Sequence, residues 1–355
     1  MKKLKNIAVQ LFTGANIATI LLLWLSCGGT YLRPASSPHF DLLALAFPVF
    51  LLVNIAFILF WLIFKINRTW IPVVGIALCW SFVRDYCPVN FSSAPAAPEL
   101  KVLTYNTHNF GGSEAVDSLG NNLIMDSLKR CDADIICLQE TYEGKATTDF
   151  KEEMAALGYA CCHLSTNMIF SRLPILQADT LTRSTYPNIG IQAWLGYEGD
   201  SILLFNVHFE SNHLSTELKD AYRKSIRSME QDSLRRGLAP VAHKLVEAAP
   251  VRAAQTDTLD QIIRQAVGQH PVLVCGDFND TPVSYTHRVL TRQLHSAFRQ
   301  SGNGLGFSFH ENGFPVRIDH ILYSPAYWTS SGTTILTDWT WSDHYPLFTT
   351  LSRTN

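Results

Sequence analysis

Two uncharged apolar stretches near the N-terminus, Ile7 to Leu25 and Leu42 to Phe64, constrain this chain before anything else does. A helix that spans a bilayer needs about 20 apolar residues, with a range of about 17–25. Both stretches reach that length, and Asn54 is the only strongly polar member of the second. A third apolar run, Trp70 to Val83, lies between Arg68 and Arg84 and carries Pro72 and Gly75. It reads either as a third crossing, with both arginines snorkelling toward headgroups, or as an interfacial or re-entrant segment. A cleaved signal peptide is the alternative for the first run. The residues before Cys27 fit a lipoprotein cleavage site poorly, and a second run follows closely, so an uncleaved span is the better reading.

Orientation follows from Lys and Arg in short loops. Lys2, Lys3 and Lys5 belong inside, as do Lys65 and Arg68, while Arg33 is the weaker outer partner. Three crossings then carry residue 99 onward out of the cytoplasm, in an integral protein of a bacterial inner (plasma) membrane. If the third run does not cross, the rest of the chain is cytoplasmic. The expected organisation is a transmembrane region over 1–90, with helices at 7–25, 42–64 and 69–84. A linker rich in Pro, Ala and Ser follows over 91–98, and then a folded domain over 99–355.

Charge separates the two parts. The chain has 28 basic and 30 acidic residues. Residues 1–98 hold seven basic and two acidic side chains, which leaves 21 basic and 28 acidic for 99–355. The front is net +5 and the remainder net −7, so no global field draws the folded domain to nucleic acid. The eight cysteines show neither metal-site spacing nor a small disulfide framework.

The folded part alternates apolar strands with amphipathic helices. Strands are expected at Val102–Tyr105, Ile135–Leu138, Met168–Phe170, Ile189–Leu195, Ile202–Val207, Val272–Cys275, Ile318–Tyr323 and Leu347–Leu351. Helices are expected at Leu123–Cys131, Leu214–Leu238 and Arg252–Val267. This pattern makes an α/β or α+β domain with a large core. Several strands end in a residue that binds metal or handles protons: Asn106, Glu140, His208, Asp277 with Asn279, Asp319, and Asp343-His344. One acid at a strand end is usually a turn or cap residue; six such segments in one domain are not explained that way. Asn206 and His208 are two apart on a strand and share a face. Alternation sets Asp319 opposite Ile318 and His320, and Gly276 permits the close turn before Asp277 and Asn279.

Seven ordered segments carry a resemblance: Thr104-Tyr105-Asn106, Leu138-Gln139-Glu140, Ser171-Arg172-Leu173-Pro174-Ile175, Asn206-Val207-His208-Phe209, Gly276-Asp277-Phe278-Asn279, Arg317-Ile318-Asp319-His320-Ile321 and Ser342-Asp343-His344. Together they resemble the endonuclease/exonuclease/phosphatase superfamily over about the last two thirds of the chain. The resemblance implies a DNase I-like two-sheet sandwich flanked by helices, with its site at one end of the sheets. It implies Glu140 as principal ligand of Mg²⁺ or Mn²⁺, with Asn106 nearby and Asp343 contributing. It implies that Asp277 and Asn279 orient water and a phosphoryl oxygen. His344, paired with Asp319, would act as base or as charged phosphate clamp. His208 would bind a phosphate oxygen or protonate the leaving group. His320 stands where many relatives place Tyr and reads as a packing residue.

Such a site suits anionic phosphoesters, because an oxygen-rich pocket favours a hard cation that bridges phosphate and His titrates near neutrality. The leading expectation is a membrane-anchored, metal-dependent hydrolase of nuclease or phosphodiesterase type. Its substrate would be nucleic acid or a lipid headgroup, and no protein partner is expected. Alternatives are a phospholipid or sphingolipid phosphodiesterase, a phosphoinositide phosphatase, and a tethered binding module with a degenerate site. Between Phe209 and Arg252 lie Lys219, Arg223, Lys224, Arg227, Arg235, Arg236 and Lys244. They form either a solvated helix face with partners such as Glu217 and Asp220 or a basic rim for headgroups or phosphate.

Overall fold

The computed structural model describes residues 2–91, 99–181, 189–228, 231–311 and 315–354. The linker expected at 91–98 lies outside them, Phe91 apart. The chain opens with helices α1 (Lys2–Gly29), α2 (Pro38–Leu45), α3 (Phe47–Phe64), α4 (Trp70–Ala77) and α5 (Trp80–Tyr86). The stretch expected as one helix over 42–64 is therefore divided at Ala46. Pro48 explains the break, because it lacks an N–H and fits only the first turn of a new helix. The stretch expected at 69–84 is also divided: its two halves are bent by 69° at Leu78-Cys79. Polar groups inside the bundle pair with one another. The Asn16 amide donates to Asn54 Oδ1 at 3.1 Å, and Trp61 Nε1 donates to Asn16 Oδ1 at 3.1 Å. The Arg68 guanidinium bonds Thr13 Oγ1 at 2.9 Å.

Twelve strands follow: β1 (Glu99–Asn106), β2 (Ile135–Gln139), β3 (Ala160–Leu164), β4 (Asn167–Ser171), β5 (Ile175–Thr180), β6 (Gly190–Tyr197), β7 (Asp200–His208), β8 (Val272–Asp277), β9 (His295–Ser296), β10 (Asp319–Tyr323), β11 (Trp328–Ile335) and β12 (Leu347–Arg353). The interspersed helices are α6 (Leu123–Arg130), α7 (Lys145–Ala156), α8 (Thr216–Ser228), α9 (Gln231–Ala266), α10 (Tyr285–Leu290) and α11 (Ala297–Ser301). The helix expected at Leu214–Leu238 is two helices. The one expected at Arg252–Val267 is the end of the 36-residue α9, whose Pro240 and Pro250 interrupt the periodicity.

The strands form two six-stranded sheets, ordered β11-β12-β1-β2-β4-β3 and β5-β6-β7-β8-β10-β9. Each sheet is built on one parallel pair, β1 with β2 and β7 with β8; all its other pairings are antiparallel. The sheets face each other over Val102, Ile135, Cys137, Ile191, Leu204, Leu273 and Ile321, all fully buried or nearly so. The outer face of the first sheet buries Leu103, Ile136 and Leu138 against Leu128 of α6 and Phe150 of α7. The outer face of the second buries Phe205, Val207 and Val274 against Leu259 and Ile263 of α9. Burial on both faces is why the central strands read as unbroken apolar runs.

The N-terminal helices pack on this domain. Val283 joins a buried cluster with Leu23, Phe47, Leu51 and Tyr86. Arg299 pairs with Asp85 at 2.6 Å, and Arg33 pairs with Asp257 at 2.8 Å. The buried Arg317 guanidinium, two residues before β10, donates to the carbonyls of Asp85 and Tyr86.

Candidate active site

Topology delivers the polar residues to one place. The four central parallel strands all run toward one end of the sandwich, where they terminate in Asn106, Gln139-Glu140, His208 and Asp277. Their antiparallel neighbours begin there. Asp319 opens β10 directly opposite Asp277, and His344 precedes Leu347, which pairs with Thr104 near the end of β1. Two glycines close the strands around His208. Gly190 and Gly276 flank Val207 on either side with φ of 154° and 143°, and a Cβ on either would overlap the backbone of β7.

Asn106 Nδ2 donates to Glu140 Oε1 at 3.0 Å and to Asp277 Oδ2 at 3.2 Å. His208 Nε2 lies 3.7 Å from Glu140 Oε1 and 3.8 Å from Asp277 Oδ2. His344 Nδ1 meets Asp319 Oδ2 at 2.8 Å, and its Nε2 faces Asp277 Oδ2 at 3.7 Å. The Ser342 hydroxyl donates to the Asn106 carbonyl at 2.9 Å and lies 3.3 Å from Asp343 Oδ1. The Asn279 backbone N–H donates to Asp277 Oδ1 at 2.8 Å, and its side-chain amide donates to the Phe209 carbonyl at 3.0 Å. All eight residues expected at the site are thus within one connected cluster. Glu140 and Asn279 sit at φ of 54° and 51°, a left-handed backbone that costs energy in non-glycine residues and gathers at functional sites.

The electrostatics pair acids against imidazoles. Burial opposes a charge on His344, but the carboxylates of Asp319 and Asp277 outweigh it and push its pKa up to about 10. Burial and the neighbouring Asp319 push Asp277 up to about 6, against the pull of His344 and His208. Burial would likewise raise Asp343, yet the His108 hydrogen bond and the charges of His344, His108 and Lys219 hold it well below the usual carboxylate range.

Two groups of oxygens suit a hard cation. Asp277, Asp319 and His344 offer ligand atoms within 4.8 Å of one another. There the imidazole Nδ1 is committed to Asp319, which orients the ring and leaves only Nε2 facing Asp277. Glu140 is partly exposed, with the amide of Asn106 beside it, and Asp343 stands across His108 from it, at 3.4 Å from His108 Nδ1 against 3.8 Å for Glu140. This carboxylate-rich mouth fits the donor preference of Mg²⁺ or Mn²⁺.

The sequence assigns His108 no role beyond setting it apart, with His310, from the remaining histidines because each flanks a motif; in the structure His108 bridges the two acids. Lys219 and Arg252 also line the cavity. Lys219 pairs with Glu311, and Arg252 donates to Asn212 Oδ1 at 2.6 Å with Asp280 3.8 Å away. Arg223 and Lys244 pair within their helices instead, with Asp220 and Glu247. The side chains of Arg227, Arg235 and Arg236 lie outside the described residues. Two motif residues prove remote from the chemistry. Arg172 pairs with Asp132 and sits level with the start of β2, at the far end of the sandwich from Glu140. Asn206 spans the two sheets under the site: it accepts from Gln139 Nε2 at 2.7 Å and donates to the Leu138 and Met168 carbonyls. His320 is buried against Phe278 and His287, as a packing residue would be.

A two-sheet sandwich with acids, an amide and a carboxylate-backed imidazole at the common end of its central strands defines a class, the sandwich-fold hydrolases of phosphoester bonds. The chain belongs to the Endonuclease/Exonuclease/phosphatase family, whose profile matches residues 103–344. Residues 9–86 match the profile of a domain of unknown function. The chain is similar to the inositol phosphosphingolipids phospholipase C of Schizosaccharomyces pombe, at 26% identity over 217 residues. That match covers 56% of this chain and 45% of the relative, so the chain spans less than half of that relative's length. In fold it is similar to an endonuclease/exonuclease/phosphatase family protein from Bacteroides thetaiotaomicron, with TM-score 0.50 and 19% identity over 73% of this chain and 98% of that one. It is also similar to the human Nocturnin catalytic domain with bound sulfate anion, with TM-score 0.50 and 19% identity over 72% and 94%.

Proposed function

We propose that this chain is a membrane-anchored, divalent-metal-dependent phosphodiesterase. The observation that carries the reading is the convergence of Asn106, Glu140, His208, Asp277 and the Asp319–His344 pair at one end of the sandwich. Glu140, Asn106 and Asp343 would hold Mg²⁺ or Mn²⁺. When bound, the ion supplies Lewis acidity and neutralises charge on the phosphoryl group.

The chain's own groups do the rest. Asp277 and Asn279 orient the attacking water toward phosphorus. Asp319 fixes the His344 tautomer and stabilises its cation, so His344 takes the water proton or clamps a phosphoryl oxygen as a cation. The water oxygen bonds to phosphorus and one ester P–O bond breaks. His208, facing both Glu140 and Asp277, donates the proton that the leaving oxygen needs, or holds a phosphate oxygen. Most of the rate enhancement comes from positioning and fixed charge.

Anchoring rests on α1 and α3, each long and apolar enough to cross a bilayer. The bent α4–α5 pair would make a third crossing and leave the sandwich outside the cytoplasm, in a bacterial inner membrane. Nucleic acid and lipid headgroups both offer the phosphodiester this site would cleave, and the name of the yeast relative favours the second. The full chain in detergent micelles should cleave bis-p-nitrophenyl phosphate, stop on chelation by EDTA, and recover with excess Mg²⁺ or Mn²⁺. Activity indifferent to chelator would refute metal dependence, and no activity under either condition would refute the hydrolase reading.

A further inference from the structure

The catalytic cavity is not built by the sandwich alone. It has a volume of about 390 Å³, and Leu45, Pro48 and Tyr86 of the N-terminal helices line it together with Glu140, Asp277, Asn279 and His344. We infer that this wall makes the enzyme specific for a lipid phosphodiester, with the phosphate at Glu140 and His344 and the hydrocarbon against Leu45 and Pro48. The inference rests on the phosphodiesterase reading above and adds the substrate class.

The cavity lining is mixed in polarity. Acids, His344 and the cations Lys219 and Arg252 share the cavity with Leu45, Pro48, Leu214, Leu245, Phe309 and Val316, which supply apolar surface. A small volume with apolar walls and a few polar groups is the form of a small-molecule site, in the range of roughly 300–1,000 Å³. A strand of nucleic acid asks instead for a basic groove that tracks its backbone, and residues 99–355 carry 21 basic against 28 acidic side chains.

The wall also leads somewhere. Leu45 and Pro48 flank the α2–α3 break, and α3 continues from it with Val49, Leu52 and Ile55 exposed at 58%, 66% and 40%. The apolar part of the lining therefore adjoins a helix with exposed apolar side chains suited to hydrocarbon. A lipid could place its headgroup in the cavity while its chains stay on α3, without exposing them to water.

The wall is tied to the chemistry. Arg317 donates to the carbonyls of Asp85 and Tyr86, two residues before Asp319 in the strand that backs His344. Arg299 holds Asp85 from the other side. The Tyr86 part of the wall is thus bonded to the segment that leads into the catalytic strand.

The test uses the full chain in phosphatidylcholine vesicles carrying sphingomyelin, phosphatidylinositol or phosphatidylglycerol, with Mg²⁺ or Mn²⁺. Parallel reactions contain bis-p-nitrophenyl phosphate or a single-stranded oligonucleotide, and the readout is the ratio of lipid to soluble-substrate turnover. Leu45→Glu should lower that ratio about tenfold or more by charging the wall. Leu45→Ala, which stays apolar and guards against misfolding of the charged variant, should lower it about threefold. A ratio unchanged in both variants would overturn the inference. So would a wild-type chain that cleaves the soluble substrates but no lipid, and in that case the phosphodiesterase reading stands. A wild-type chain that cleaves nothing would sink both.

Discussion

His344 is the residue on which charge in the site is most concentrated. Its ring touches Asp319 at 2.8 Å and looks across 3.7 Å to Asp277. Replacing it with Ala should lower turnover by about 10²–10⁴-fold, the range of a central proton-transfer group; a loss under about tenfold in steady-state assays would contradict the role. Two other imidazoles behave oppositely. His320 and His287 are buried, and burial drives His320 down to about 3 and His287 well below its ordinary value. Their folded pKa lies below the unfolded one, so below about pH 6.5 the unfolded chain takes up protons that the folded chain refuses. Stability should then fall by about 1.4 kcal/mol per pH unit for each such ring. His320→Gln, which can still donate to the Asp280 carbonyl as His320 does, should flatten the decline of the thermal midpoint between pH 6.5 and 5. An identical slope in variant and wild type would exclude the effect. The sequence announced acids and imidazoles at strand ends because those residues interrupt apolar runs. It did not announce Arg252, and it left Lys219 as one member of a basic rim or solvated helix face and His108 as a residue flanking a motif, because their places depend on where loops and helices return in space.

The eight strands expected from the sequence are β1, β2, β4, β6, β7, β8, β10 and β12, all of them interior to the sheets. The four that went unseen, β3, β5, β9 and β11, are the four sheet edges. The reason is physical. An interior strand is buried on both faces and reads as a continuous apolar run, whereas edge strands such as Ile175–Thr180 and Trp328–Ile335 are partly exposed and polar. The long α9 was hidden for a different reason, two internal prolines. Between the sheets, Asn206 is the polar tie that periodicity alone assigned to the same face as His208. Asn206→Ala would leave Gln139 and two strand carbonyls without their partner, and should cost about 2–3 kcal/mol. A calorimetric midpoint within error of wild type would show that the tie does not hold the sheets together.

At the scale of the molecule, the net charges of the two parts, +5 and −7, separate an apolar helical front from an acidic sandwich. Composition made that division legible, but it could not show that the segments interlock through Arg317, Arg299 and Tyr86. Nor could it show the 69° bend, on which the number of possible crossings depends. A reporter fused after Asn355 and active only outside the cytoplasm would support three crossings; one active only inside would limit the chain to two. The central claim is that side chains far apart in sequence build one cation-dependent pocket for phosphate. Calorimetric titration of Mn²⁺ into the full chain, run beside a bis-p-nitrophenyl phosphate assay, tests it most directly. Glu140→Gln should lose both the high-affinity binding isotherm and turnover while its thermal unfolding profile is retained; wild-type binding and turnover in that variant would contradict the account.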